Sequence, residues 1–370
     1  MDEGLRLRGQ NVTFAIVSNG FADGPAQALR DYLVARGNDV VTIFHPLTPE
    51  QGATHRITTY AAGARNSERT LKLPLRPPAS FLLDPFVPLL PPKVDVWFGF
   101  NPLACARGLA ARAGRVVLWS VDFVPDRFGR GSMATRIYDR VDAMCCRRAD
   151  ARVELSEAAR AGRNARHGLP ADAAAHIVPM GAWVERVPTT QPNGFERHRA
   201  VFLGHLVARQ GVQTFLEAVA LLDGVDADVI GTGPLEQELR DRAPSAVTFH
   251  GYVEDHREVE RLLSEASVAV APYEQSFTQF ADPGKLKAYL AAGLPIVLTD
   301  VPPNAHELAR EAGAEIVTGD ARSLSDAIAR AHASPQQWQA RREAALTYAR
   351  RFDWNALFDD LFAKLNLSAS

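Results

Sequence analysis

The sequence predicts an α/β protein built from two doubly wound, parallel-sheet domains facing each other across a cleft. Three observations carry that reading. The chain has 370 residues, more than one ordinary α/β core and comfortable for two. Short apolar runs alternate with helical patterns in both halves, as βα units around parallel sheets do. A polar stretch punctuated by Pro and Gly, PTTQPNGFERHR, separates the two series. Apolar residues make up 46% and charged ones 23%, which excludes disordered and fibrous classes.

The first unit is the clearest. VTFAIVSN (12–19) is a buried-strand run, GFADGP supplies two glycines and a proline, and AQALRDYLVARG reads as a helix closed by Gly37. Further strands fit 39–45, 94–100, 115–121 and 151–156. From Pro74 to Pro92 a Pro-rich, largely apolar segment interrupts the series, with Arg65, Arg69, Lys72 and Arg76 before it or at its start. That combination suits lipid headgroups. Six prolines between 77 and 92 favour a loop with a short packed helix instead.

The second series repeats the pattern. RAVFLGHL and ADVIGTGP are strands entering Gly loops, and later strands fit 247–252, 267–273, 295–300 and 314–319. Two amphipathic helices end the chain. The expected division is 1–184, a linker at 185–199, 200–335, and a helical tail at 336–370 that packs back on the N-terminal domain.

Net charge is −2, yet residues 1–184 hold 23 Lys+Arg against 17 Asp+Glu. A basic first half fits an anionic acceptor or membrane surface, or is simply unevenly solvated charge. No basic stripe with interleaved aromatics points to nucleic acid. Cys105, Cys145 and Cys146 lack metal-ligand spacing, and MDEGLRLRGQ has no apolar h-region. A cytoplasmic protein with reduced thiols follows, peripheral contact with the inner membrane face being the alternative.

Chemistry concentrates at three glycine-bearing turns of the second domain: FLGHLVARQG (202–211), VIGTGP (229–234) and DPGKLKAYLAAG (282–293). Each opens a helix N-terminus, where unpaired N–H groups favour phosphate. Gly204 and Gly233 allow close approach, although a Gly at such a turn is commonly just a turn. Lys285 begins a helix, where a cation opposes the dipole unless an anion sits there. Arg209 lies in the first loop. Cations aimed at a diphosphate leaving group stabilise the transition state more than the ground state.

The second domain resembles the donor domain of the GT-B glycosyltransferases, particularly the large retaining family four. The matching pieces, in order, are HIVPMGAW, the G-x-L-x-x-x-x-G loop from Gly204 to Gly211, VIGTGP, HGYVEDHREVERLLSEASVAVAPY, DPGKLKAYLAAGLPIVLTD and NAHELAREAGAEIV. The resemblance implies two Rossmann-like domains, the first on the acceptor side. It also implies a nucleotide-sugar co-substrate, a UDP-sugar foremost, and no metal. The acceptor is expected to be a glycan, a lipid-linked glycan or a small molecule. It places Tyr252 where the backbone meets the base. It places Gly20, Asp23 and Gly24 in the loop facing the acceptor and phosphates, where a plain tight turn is the competing reading.

Departures matter as much. The family's Arg and Lys of the first loop fall on His205 and Gln210, with Arg209 adjacent. Its paired glutamates fall on Phe280 and Ala288, and alanine cannot hold ribose hydroxyls. Glu274 and Asp282 are nearby carboxylates for donor hydroxyls, and Tyr273 adjoins them. The xanthan-type glucuronosyltransferases are similar in having a lysine in the PGKLKAYL position and no glutamate pair. They invert configuration with an aspartate base, and Asp122 in WSVDFVPD stands at the corresponding strand end. A cap or turn role is its alternative, and Asp126 competes for either. Stereochemistry is left open. Two function classes remain, a glycosyltransferase and a catalytically weak protein of the same fold that binds a nucleotide sugar or a partner. Turnover of a donor separates them.

Overall fold

The computed structural model describes residues 12–20, 24–46, 52–76, 80–89, 91, 93–274 and 280–369. Two compact units make up the chain. One contains Met1–Pro179 and Leu357–Ser370, the other Met180–Ala356.

The first unit is wound about β1 (Thr13–Asn19), whose Phe14, Ala15, Ile16 and Val17 are fully buried. Burial on both faces is what a continuous apolar run dictates in a parallel sheet. After it come α1 (Pro25–Ala35), β2 (Asp39–His45), β3 (Thr54–Ala61), β4 (Ala64–Lys72) and a 3₁₀ helix over Phe81–Phe86. Then follow β5 (Val96–Gly99), α2 (Pro102–Ala110), β6 (Arg115–Ser120), α3 (Met133–Arg148), β7 (Ala151–Glu154), α4 (Glu157–His167) and β8 (His176–Ile177). The sheet order is β4-β3-β2-β1-β5-β6-β7-β8.

Helix starts follow local chemistry. Asn101, Ser132 and Ser156 cap α2, α3 and α4 by accepting backbone N–H groups of the first turn. Gly168 ends α4 in the left-handed conformation.

One part of this sheet departs from the all-parallel expectation. β2 pairs with β3, and β3 with β4, antiparallel. β4 is exposed along almost its whole length, so its sequence shows no buried alternation. The 3₁₀ helix matches the expected short packed element in the Pro-rich segment, with Phe81 buried and Phe86 80% exposed.

The second unit runs β9 (Arg199–Leu203), α5 (Val212–Val219), β10 (Asp226–Ile230), α6 (Glu236–Arg242), β11 (Val247–Gly251), α7 (His256–Ser264) and β12 (Val268–Ala271). It continues with α8 (Gly284–Ala291), β13 (Ile296–Thr299), α9 (Ala305–Ala312), β14 (Glu315–Val317), α10 (Ala321–Ala331) and α11 (Pro335–Ala349). Its sheet is parallel throughout, in the order β11-β10-β9-β12-β13-β14.

The last helix, α12 (Trp354–Lys364), places Phe358 and Phe362 among the rings of Phe14, Tyr32, Phe98 and Trp119 in the first unit. Tyr32 donates a hydrogen bond to Asp359 at 2.5 Å. Among the described residues no helix is long and apolar enough to cross a membrane. The three cysteines are free thiols.

Candidate active site

In the second sheet the chain winds one way from β9 through β10 and β11, and the other way from β12 through β13 and β14. The strand order therefore reverses between β9 and β12. Ligands of open α/β sheets bind outside the carboxyl ends of the strands at such a point. The side chains gathered there come from the three loops that follow β9, β10 and β12.

Lys285 is the second residue of α8. Its Nζ donates to Gln210 Oε1 at 2.8 Å and lies 4.3 Å from the Phe202 ring centroid and 4.4 Å from that of Tyr273. Burial among these groups lowers its pKa to about 7. The rings favour the cation, but among the described residues no carboxylate pairs with it to compensate its desolvation. One of three N–H donors is spent on Gln210, leaving the ammonium able to donate to a ligand.

Gly204, immediately after β9, has φ +151°, and a Cβ on it would stand 3.3 Å from Lys285 Nζ. A side chain there would be strained and would crowd the ammonium. At Gly233 a Cβ would lie 2.5 Å from the Leu206 carbonyl oxygen. The loops after β9 and β10 thus pack backbone to backbone. His205 seals the same junction, its Nδ1 donating to the Thr232 carbonyl at 2.7 Å.

Arg209 sits in a short 3₁₀ turn, Ala208–Gln210, with an exposed guanidinium that has no hydrogen-bond or ion-pair partner among the described residues. Its carbonyl accepts the Glu274 N–H at 3.2 Å. Glu274 is exposed. It lines a cavity of about 430 Å³ at the ends of β12, β13 and β14, with Pro272, Tyr273, Thr299, Asp300 and Thr318. That size falls in the range of small-molecule sites. Tyr273 is buried, and burial holds its phenol well above the ordinary range, so it stays protonated. Thr299 anchors it by donating to its carbonyl at 2.7 Å. Tyr252, just past β11, is 63% exposed.

Asp282 is placed differently from a free carboxylate. Its Oδ2 accepts the Met180 N–H at 2.7 Å and its Oδ1 pairs with the buried ammonium of Lys287. Both oxygens are engaged in holding the segment before α8. Ala288 occupies the middle of α8, and Phe280 is partly buried.

In the first unit, Asp122 stands two residues beyond β6 with its carboxylate half exposed and paired with Arg127 at 2.5 Å. Beneath it lies a buried ionic network. Arg163 pairs with Asp142 at 2.5 Å and with Glu154 at 3.0 Å, and donates to Ser120 Oγ and to the Asp122 carbonyl, the latter at 3.2 Å. His167 closes on Asp142 at 2.9 Å. Arg163 holds Asp142 ionised against its own burial, while burial pushes Glu154 upward. Asp126 instead binds Arg166 at 2.7 Å.

Gly20 N–H donates to the His45 carbonyl at 2.8 Å, tying the ends of β1 and β2, and Gly24 begins α1. Asp23 lies outside the described residues.

Comparison with known proteins identifies the second unit. Residues 197–334 match the family model of glycosyl transferases group 1. The second unit therefore carries a glycosyl transferases group 1 region, and the chain has the fold of the GT-B glycosyltransferases. Several solved structures resemble it over nearly their whole length. A sucrose-phosphate synthase from Thermosynechococcus elongatus is 16% identical, with 96% of this chain and 99% of that one covered and a TM-score of 0.71. Anabaena HepE, solved in complex with UDP, is 14% identical with the same coverage and a TM-score of 0.67. WaaG, a glycosyltransferase involved in lipopolysaccharide biosynthesis, is 16% identical over 95% of this chain and 98% of that one, with a TM-score of 0.57. No curated protein matches the sequence.

Sequence reasoning singled out Lys285 as a candidate from its place at a helix start, but missed its surroundings. Phe202, Gln210 and Tyr273 reach it from separate loops, which spacing alone does not reveal. The Asp282–Lys287 pair and the Arg163 network were missed too. Lys287 was visible as a lysine amid apolar residues of α8, a pattern that demands a buried partner.

Proposed function

We propose that this glycosyltransferase moves a sugar from a UDP-sugar to a glycan or lipid-linked acceptor, with Lys285 stabilising the diphosphate as it leaves. The observation that carries the reading is the ammonium at the switch point of the second sheet, desolvated between Phe202 and Tyr273 and, among the described residues, paired only with a neutral amide. An anion at that position restores the charge that burial suppresses. The interaction strengthens as the bond between the anomeric carbon and the diphosphate oxygen breaks and charge accumulates on that oxygen. Arg209 supplies a second cation from its exposed position, and the role of a metal at the diphosphate is taken by these side chains.

Asp122 is the residue we assign to the acceptor proton. As the acceptor hydroxyl oxygen bonds to the anomeric carbon, its proton passes to the carboxylate, while UDP departs with the electron pair of the broken bond. That assignment predicts inversion, so the anomeric configuration of the product tests it independently. In the first unit, exposed Leu75, Leu83 and Phe86 lie in the same stretch as exposed Arg65, Arg69, Lys72 and Arg76. This composition suits an anionic membrane surface and supports a lipid-linked acceptor.

The deciding experiment is release of UDP from a panel of UDP-sugars without added divalent ion. Turnover with one donor, lost in Lys285→Met, is the expected result. Ala288, standing where relatives of this type carry a glutamate, favours a second reading in which the protein binds nucleotide sugars without turning them over. Absence of release with every donor, alongside intact UDP binding, would establish that reading instead.

A further inference from the structure

We propose that His45, His55 and Asp84 bind one divalent cation of the zinc class at the carboxyl edge of the first unit's sheet. Each side chain offers one ligand atom, and the three atoms lie within 4.8 Å of one another. His45 ends β2, His55 lies in β3 and Asp84 belongs to the 3₁₀ helix Phe81–Phe86. All three residues are buried. Two imidazoles and a carboxylate are a donor set that suits zinc, with a fourth position left open.

The details favour a cation over a self-contained polar cluster. The two Nδ1 atoms face each other at 2.8 Å, so a single proton lies between them. Asp84 Oδ1 is 3.8 Å from His55 Nδ1, beyond hydrogen-bond range, and has no hydrogen-bond partner among the described residues. A buried carboxylate oxygen without a partner is costly. A tetrahedral zinc ion with bonds of about 2.0–2.2 Å sets its ligand atoms about 3.3–3.5 Å apart. The separations of 2.8 and 3.8 Å bracket that spacing, and with all three atoms within 4.8 Å side-chain shifts bring them into range.

The supporting shell is in place around the carboxylate, while His55 Nε2 is buried with no hydrogen-bond partner among the described residues. Asn19 Nδ2 donates to Asp84 Oδ2 at 2.6 Å, and Asn101 Nδ2 donates to Asn19 Oδ1 at 2.8 Å. Asn101 is itself fixed as the cap of α2. Asp84 Oδ1 is thereby left to the histidines, as outer partners commonly orient a ligating carboxylate.

Protonation is compatible. Burial, then the charges of His55 and Arg107, push His45 down to about 3, and burial lowers His55 as well. Both rings are neutral at physiological pH, the form that ligates. Burial raises Asp84 to about 7 against the pull of Asn19 and Arg107. Arg107, held by the carbonyls of Val87 and Leu89, opposes the ion. That charge weakens the site.

The test uses the full chain, freed of metal by a chelator and titrated with Zn²⁺ alone by calorimetry and with Co²⁺ in the visible spectrum. One equivalent of zinc, a tetrahedral cobalt spectrum and a zinc-dependent rise in Tm are expected. Asp84→Asn keeps the shape and the acceptor for Asn19 but turns an amide nitrogen toward the histidines. It should weaken zinc by more than the about 10- to 100-fold that loss of an outer partner costs. No saturable uptake at micromolar zinc, or an octahedral cobalt spectrum in the wild type, would overturn the proposal whether or not the variant folds. So would zinc affinity unchanged in folded Asp84→Asn or His55→Gln.

Discussion

The carboxyl edges of the two sheets handle buried charge in opposite ways. Below Asp122, the first unit surrounds Arg163 with Asp142, Glu154 and Ser120, so a buried cation meets buried carboxylates. At the switch point of the second unit, Lys285 meets two aromatic rings and an amide. A compensated network fixes a loop and is costly to break. An uncompensated cation is a poor stabiliser and a good receptor for an anion. Two α/β sheets therefore present a rigid shelf on one unit and, in the proposed function, a charge ready for an anionic ligand on the other.

The sharpest way to break this contrast is to remove each cation. Arg163→Ala strands Asp142 and Glu154 in the interior, and loss of one partner of a buried pair costs about 3–5 kcal/mol. Chemical denaturation should show a fall of that order. Lys285→Met keeps the length and the apolar contacts while removing the desolvated charge. It should leave stability unchanged or raised, and should abolish UDP binding. Equal losses of stability in both variants would erase the distinction.

The pH dependence of stability sharpens it further. Burial lowers Lys285 from 10.5 to about 7, so between those values the unfolded chain binds the proton that the folded chain has released. Stability then rises with pH across that window, and the penalty of the buried charge is fully present below pH 7. In Lys285→Met that component of the rise should vanish from thermal denaturation profiles. A profile identical to the wild type's would place the neutral lysine elsewhere.

Smaller effects come from the rim. Gln210→Lys puts a second ammonium where the amide now accepts from Lys285, and should push the Lys285 pKa lower still. Its signature is a UDP affinity that depends more steeply on pH. Phe86→Ser removes an exposed ring from the first unit. It should reduce co-sedimentation with anionic vesicles while changing stability by no more than about 0.5 kcal/mol, the usual range for exposed positions. Unaltered vesicle binding would remove Phe86 from the membrane argument.

Much of the fold was legible because parallel strands buried on both faces are written as unbroken apolar runs. TFAIVSN and DVVTIFH were read to within a residue. The β3–β4 hairpin was not, since β4 is exposed at every position but Leu71 and its stability comes from pairing that leaves no pattern in ARNSERTLK. The site divides the same way. Glycines and a lysine at a helix start have local causes and could be seen. The cage about Lys285, the occupied Asp282 and the meeting of His45, His55 and Asp84 arise from tertiary packing of distant segments, and sequence spacing carries no trace of it.

Calorimetric titration of UDP into the wild type and Lys285→Met, repeated in buffers of different ionisation enthalpy, tests the central claim most directly. The account predicts metal-independent binding by the wild type that takes up a proton above pH 7, weakens as pH rises, and disappears in the variant. Binding of equal strength in both proteins, or binding by the wild type with no proton uptake, would contradict it.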